Sequence, residues 1–129
     1  MDKQEEFVRK YVRKRYRDRL LYELNEPEKR TEGLDRFAHQ VKDLLDEKRI
    51  VLSDSNLENS KSFADFMQDR DKHCLLLSAD LELDGRELEL DDAIKAALFS
   101  FDAVIIVGAD YALVFAEPGK GGRDKYLLC

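Results

Sequence analysis

Three aspartates in the second half of the chain each close a short apolar run: Asp54 after Ile50-Val51-Leu52-Ser53, Asp80 after Leu75-Leu76-Leu77-Ser78-Ala79, and Asp110 after Val104-Ile105-Ile106-Val107-Gly108-Ala109. Carboxylates that converge at strand ends can hold Mg²⁺ or Mn²⁺ for phosphoryl or phosphodiester chemistry, because these hard cations take oxygen ligands and open α/β sheets bind ligands at the carboxyl ends of their strands. Asp54, Asp80 and Asp110 are the candidate ligands, with Glu82 and Asp84 nearby in sequence. The same residues also have a plainer use, since Asp, Ser and Gly satisfy backbone groups where strands turn and helices start. Convergence further requires the three strands to run the same way. An aspartate on a reversed strand lies on the far edge of the sheet.

Other reactive residues give less. Two histidines and two cysteines, far apart in sequence, do not have zinc-ligand spacing. Cys74 with His39 as base would make a nucleophile pair, yet Cys74 opens an apolar run, where cysteine acts as core. Gly119-Lys120-Gly121-Gly122 lacks the strand before, the Ser or Thr and the helix after that a phosphate loop needs, and reads as a flexible turn. There is no Gly-x-Ser-x-Gly serine motif.

Charge is distributed unevenly. The net charge is −6, with residues 1–50 holding 14 Lys/Arg and 12 Asp/Glu and residues 51–129 holding 8 and 16, so the halves differ as +2 and −8. Within the first half Arg9, Lys10, Arg13, Lys14 and Arg17 fall in one sector of a helix, opposite Phe7, Val8, Tyr11 and Val12. Such a face could contact a nucleic-acid backbone, with Tyr11 or Tyr16 stacking on bases, or it could be a solvated face paired with Glu5 and Glu6. The acidic counterpart is the stretch Asp80, Glu82, Asp84, Glu87 and Glu89, continued by Asp91 and Asp92. It suits a partner of basic character.

The elements that must carry these residues follow from periodicity. Lys3 to Leu24 holds neither Gly nor Pro and predicts one long helix ended by Asn25-Glu26-Pro27. Leu34, Phe37, Ala38, Val41, Leu44 and Leu45 mark the apolar face of a second helix. A strand near 50–53, a helix near 57–69 and a strand from about His73 come next. Leu81 to Leu90 then alternates about Asp84-Gly85, which predicts either a hairpin with Leu81, Leu83, Leu88 and Leu90 on one face or an extended excursion. The hairpin would set Glu82 opposite Glu87. Asp91 or Asp92 should cap a helix whose stripe is Ile94, Ala97, Leu98 and Phe101. Strand 104–107 is followed too closely by 111–116 for a crossover, so these two pair antiparallel, and Lys125 to Leu128 forms a last edge strand. The continuous apolar runs read as strands covered on both faces, and the helical patterns between them predict β-α-β crossovers and a largely parallel sheet. The fold class is therefore α/β: two N-terminal helices, then a mixed sheet of about five strands (β-α-β-α-β-β-β) in one layer with helices packed on it.

At 129 residues the chain fits a single domain, a helical part over 1–48 and an α/β part over 49–129. Charged residues make up 39% of it, against about a quarter in typical domains. No apolar run approaches the roughly 20 residues that cross a bilayer, and Met1 to Glu6 lacks the apolar centre of a leader. The expectation is a soluble cytoplasmic protein without a membrane partner. Without a convincing catalytic constellation, macromolecular interaction is the favoured function, in the compositional manner of small acidic immunity proteins and antitoxins that neutralise a basic partner. Self-association into a homo-oligomer is compatible with this. No cofactor is expected, Mg or Mn entering only with the alternative reading of a metal-dependent enzyme on Asp54, Asp80 and Asp110. A nucleic-acid contact through the basic helix is the other alternative.

Overall fold

A computed structural model describes residues 2–129, Met1 lying outside them. Helices α1 (Lys3–Tyr11), α2 (Lys14–Asn25), α3 (Arg30–His39) and α4 (Val41–Leu44) precede strand β1 (Ile50–Ser53). Helix α5 (Lys61–Met67) leads to β2 (His73–Ser78) and β3 (Glu87–Glu89), and helix α6 (Leu90–Phe99) to β4 (Val104–Val107), β5 (Ala112–Phe115) and β6 (Lys125–Leu128). The strands form one sheet in the order β1-β6-β5-β4-β2-β3. Helices α1 to α4 cover one of its faces and α5 with α6 the other, giving two cores that share the sheet. This is the α/β arrangement of helices on a single sheet that the sequence predicts, with β3 as a sixth strand. No helix among the described residues is long and apolar enough to cross a membrane.

The pairing differs from the mixed sheet expected. Every neighbouring pair is antiparallel. The apolar runs do not report strand direction, and only some report burial on both faces: β4, β5 and β6 are buried along their whole length, with Ile105, Val107, Ala112 and Val114 facing α1–α4 and Val104, Ile106 and Leu113 facing α5 and α6, whereas in the run Ile50–Leu52 the edge strand β1 leaves Val51 exposed. The predicted crossovers do occur, since β1-α5-β2 and β3-α6-β4 each join strands of the same direction. Their partners are never neighbours, because β2 fills the slot between β3 and β4, and β6, β5 and β4 fill the space between β1 and β2. By the same order β6 is an interior strand, and the edges are β1 and β3.

The long first helix is broken in two. Asp2 caps α1 by accepting from Glu5 N at 2.7 Å, and Glu5, Glu6, Arg9 and Lys10 complement its dipole at either end. At Val12 and Arg13 the backbone becomes extended. There Arg13 N donates to Leu44 O and Asp46 N to Tyr11 O, both at 2.8 Å, so a strand-like bridge to Leu45 replaces helical hydrogen bonds. Local propensity favours a continuous helix, and this tertiary pairing overrides it. Arg17 then satisfies a carbonyl freed at the break, donating from Nε to Val12 O at 2.7 Å. Further on, Gly33 sits inside α3, where a Cβ would fall 2.9 Å from the Glu23 Cβ; its absence lets α3 approach α2 closely.

Residues 81–90 do not form the hairpin. Leu83 N and Asp84 N donate to Asp80 O, both at 3.0 Å, closing a helical turn that ends at Gly85 with φ +82°. Only Glu87–Glu89 is extended, and it pairs with β2, not with 81–83. Glu82 and Glu87 are thereby separated, which removes the like-charge opposition. Helix α6 starts two or three residues earlier than its expected caps: Glu89 occupies the N-cap position, and Asp91 and Asp92 lie in the first turn, where they favour the dipole.

Candidate functional site

The antiparallel topology decides the fate of the strand-end aspartates. β1 and β2 point to one rim of the sheet and β4 to the other, so Asp110 is on the opposite rim from Asp54 and Asp80. Four strand spacings separate Asp54 from Asp80, about 19 Å. The three carboxylates do not converge, and no group of three or more His, Cys, Asp or Glu with metal-holding geometry occurs among the described residues. Each aspartate has a local partner instead. Asp54 accepts from Asn56 N at 2.8 Å, Asp110 pairs with Arg70 at 2.6 Å, and Asp80 accepts from Glu82 N at 3.1 Å and from Ser100 Oγ at 2.8 Å.

The acidic stretch does not present one continuous face. Asp84 turns inward, where Arg30 donates to both of its oxygens at 2.7 and 3.0 Å and Ser78 N at 3.2 Å. Arg30 also reaches Gln4 and Leu24 O, so this pair ties the helical layer to the β2–β3 connection. Glu87 and Glu89 remain exposed on the edge strand β3 and bracket His73 at 3.7 and 3.9 Å. Glu82 is exposed beside Leu81.

The basic face is likewise divided by the break between α1 and α2. Arg9 pairs with Glu5 at 2.7 Å, and Arg13 donates to Leu45 O at 2.9 Å and to Glu47 at 3.1 Å. Lys10 lies 5.3 Å from the centre of the Tyr11 ring, and Lys14 is exposed. Arg13 and Arg17 thus serve the break more than any outward surface. His39 and Cys74 are not brought together. His39 is exposed near Glu117, while Cys74 is buried against α5 and α6, with burial pushing its thiol pKa up.

Sequence periodicity misplaced the side chains that stand out. Phe99 and Phe101 are each 87% exposed, Leu81 is 77% and Leu98 43% exposed. The expected stripe put Leu98 and Phe101 towards the core, but α6 ends at Phe99 and Ser100 is extended, which turns Phe101 out of the helical register. The backbone that carries the two phenylalanines is held from inside. Ser100 Oγ donates to Asp80 and accepts from Asp102 N at 3.1 Å, so Leu81 and the 99–101 segment share one corner of the molecule. Arg123, from the β5–β6 loop, donates to Ala116 O at 2.5 Å, Ala97 O at 2.6 Å, Ser100 O at 3.1 Å and Asp102 O at 2.8 Å. A cation thereby satisfies carbonyls at the C-terminus of α6, where the dipole is negative. Burial lowers the Arg123 pKa from its ordinary value.

Two further ion pairs are structural. Buried Glu23 accepts from both terminal nitrogens of Arg36, which holds its carboxyl below the usual glutamate range. Buried Lys125 donates to both oxygens of Glu58 at 2.9 and 3.1 Å. No protein-family model, curated protein or solved structure matches the chain.

Proposed function

We propose that this protein acts by binding a basic protein partner, and that the corner formed by Leu81, Phe99 and Phe101 is the centre of the contact. The observation that carries the reading is the pairing of two phenylalanines at 87% exposure with a backbone fixed by Ser100, Asp80 and Arg123. Leaving a large apolar side chain in water forgoes roughly 1.5–3 kcal/mol each. Fixing it there also removes the ordering cost that binding would otherwise incur. Aromatic anchors presented in this way are the usual energetic centre of a protein interface.

The sign of the partner follows from the surroundings. Glu82 and Asp102 flank the corner in sequence, and the residue 51–129 half carries an excess of eight acids. A second copy in a two-fold contact would oppose like charges, whereas a basic partner is steered towards them. This favours the neutralising, immunity- or antitoxin-like role over catalysis and over a nucleic-acid contact.

The test is affinity capture from the native host with the wild-type chain, with Phe99→Ala/Phe101→Ala and with Glu82→Lys/Asp102→Lys, each verified as folded by its melting curve. The expected result is a basic protein retained by wild type in a salt-sensitive manner and lost by both variants. An identical retained set for all three chains rejects the reading, and a salt-insensitive self-association lost only with the phenylalanines replaces the basic partner by a second copy.

A further inference from the structure

A cleft of about 450 Å³ opens on the rim opposite Asp80, between the last turn of α1, Arg49 and the β4–β5 turn at Gly108 and Ala109. Its apolar floor is Phe7, Tyr11 and Val107, all buried in the core beneath α1–α4. Three cations, Arg9, Lys10 and Arg49, line it against one acid, Glu6. Arg9 is occupied by Glu5. Lys10 meets only the Tyr11 ring, and the Arg49 guanidinium forms no ion pair among the described residues.

Tyr11 is the unusual member. Its side chain is only 3% exposed, yet its hydroxyl has no hydrogen-bond partner among the described residues. No fully buried side-chain nitrogen or oxygen is left unsatisfied, so this oxygen reaches the open space of the cleft. Of the charges that act on it, those of Cys129, Asp110 and Glu6 disfavour the phenolate and that of Arg49 favours it. Burial pushes the phenol pKa up to about 12, and at neutral pH the protonated hydroxyl can donate a hydrogen bond, as an ordinary phenol also can.

We infer that this cleft binds a small organic phosphate, the phosphoryl group taking hydrogen bonds from Arg49, Lys10 and the Tyr11 hydroxyl and the organic body lying on Phe7 and Val107. Three donors match the three terminal oxygens of a phosphomonoester, one more than a carboxylate offers. The volume lies in the ordinary range of small-molecule pockets, roughly 300–1,000 Å³, and far exceeds the space that a bare phosphate fills. Glu6 in the lining, with Asp110 and Cys129 close enough to act on Tyr11, works against the anion and sets the affinity below what the cations alone would give. The site shares no residue with the Leu81, Phe99 and Phe101 corner and is independent of the partner reading.

Phenyl phosphate, inorganic phosphate and phenol serve as probes in nuclear magnetic resonance titrations of the full chain at constant ionic strength. Phenyl phosphate should give saturating shifts at the Lys10, Gly108 and Ala109 amides and bind more tightly than inorganic phosphate. Tyr11→Phe, which keeps the ring, and exposed Arg49→Ala should each weaken it about fivefold or more, while Glu6→Gln should tighten it. Absence of a saturable shift up to about 10 mM phenyl phosphate, an affinity unchanged by Arg49→Ala and Tyr11→Phe, or phenol binding as well as phenyl phosphate would each overturn the inference.

Discussion

Replacing Arg123 should loosen the corner on which the proposed function depends. In Arg123→Met a side chain of similar reach keeps most of the apolar packing but withdraws the donors from four carbonyls, those of Ala97, Ser100, Asp102 and Ala116. A hydrogen bond from a charged group is worth about 1.5–3 kcal/mol when its partner is then left dry. Arg123 is only partly enclosed and its loop is exposed, so water recovers much of that loss. The net cost should be about 2–3 kcal/mol, or a melting temperature lower by roughly 8–12 °C for a chain of this size. Arg123→Lys should fall between, because an ammonium has three donors but not the planar fork that spans several carbonyls. Urea unfolding measures the cost, and hydrogen exchange at the Ser100 and Asp102 amides locates it. If Arg123→Met unfolds within about 0.5 kcal/mol of wild type and leaves exchange at those amides unchanged, Arg123 does not hold the corner.

The Glu23–Arg36 pair should give stability a defined pH dependence. Because the folded carboxyl titrates below its ordinary value of 4.5, the pair contributes fully above that pH and its contribution is lost as pH falls through the folded value. Glu23→Gln should therefore cost about 2–3 kcal/mol at pH 7, and its deficit in urea midpoints should shrink below pH 4.5; a deficit that stays constant from pH 7 to pH 3 counts against the pair. The two thiols should also separate kinetically. Cys129 is partly exposed and Cys74 buried with a raised pKa, so one thiol per chain should react with an aromatic disulfide reagent in native buffer and the second only in denaturant. Two fast thiols in the native protein would mean that the core around Cys74 opens readily.

The elements were largely readable, and their pairing was not. Runs such as Val104–Val107 and Leu75–Leu77 show that water is excluded from both faces of a strand, which is a statement about the layers above and below it. Strand direction depends instead on which slots the remaining strands fill. The short 108–110 link does fix β5 beside β4, but the entry of β2 between β3 and β4 and of β6 between β5 and β1 depends on pairings that no local pattern records. The break at Val12 and Arg13 has the same origin. Nothing between Lys3 and Leu24 disfavours a helix, and the competitor is Leu45, more than thirty residues away.

The candidate sites divide along the same line. Aspartates after strands are recognisable in sequence as turn and cap residues, and Asp54 and Asp80 are used in that way, but whether three of them meet is a property of the sheet order alone. The exposed phenylalanines were hidden for a local reason. A stripe continued through Leu98 to Phe101 presumes that α6 persists, whereas the helix ends at Phe99 and Ser100 turns its hydroxyl inward to Asp80. The residues that stop α6 are Ser100, with a side chain suited to bonding backbone nearby, and Arg123, which reaches the same carbonyls from more than twenty residues away. A helix end supported from so far along the chain, with two aromatic rings left in water beside it, costs solubility and gains nothing for the core. The proposed partner contact is what would give those rings a use.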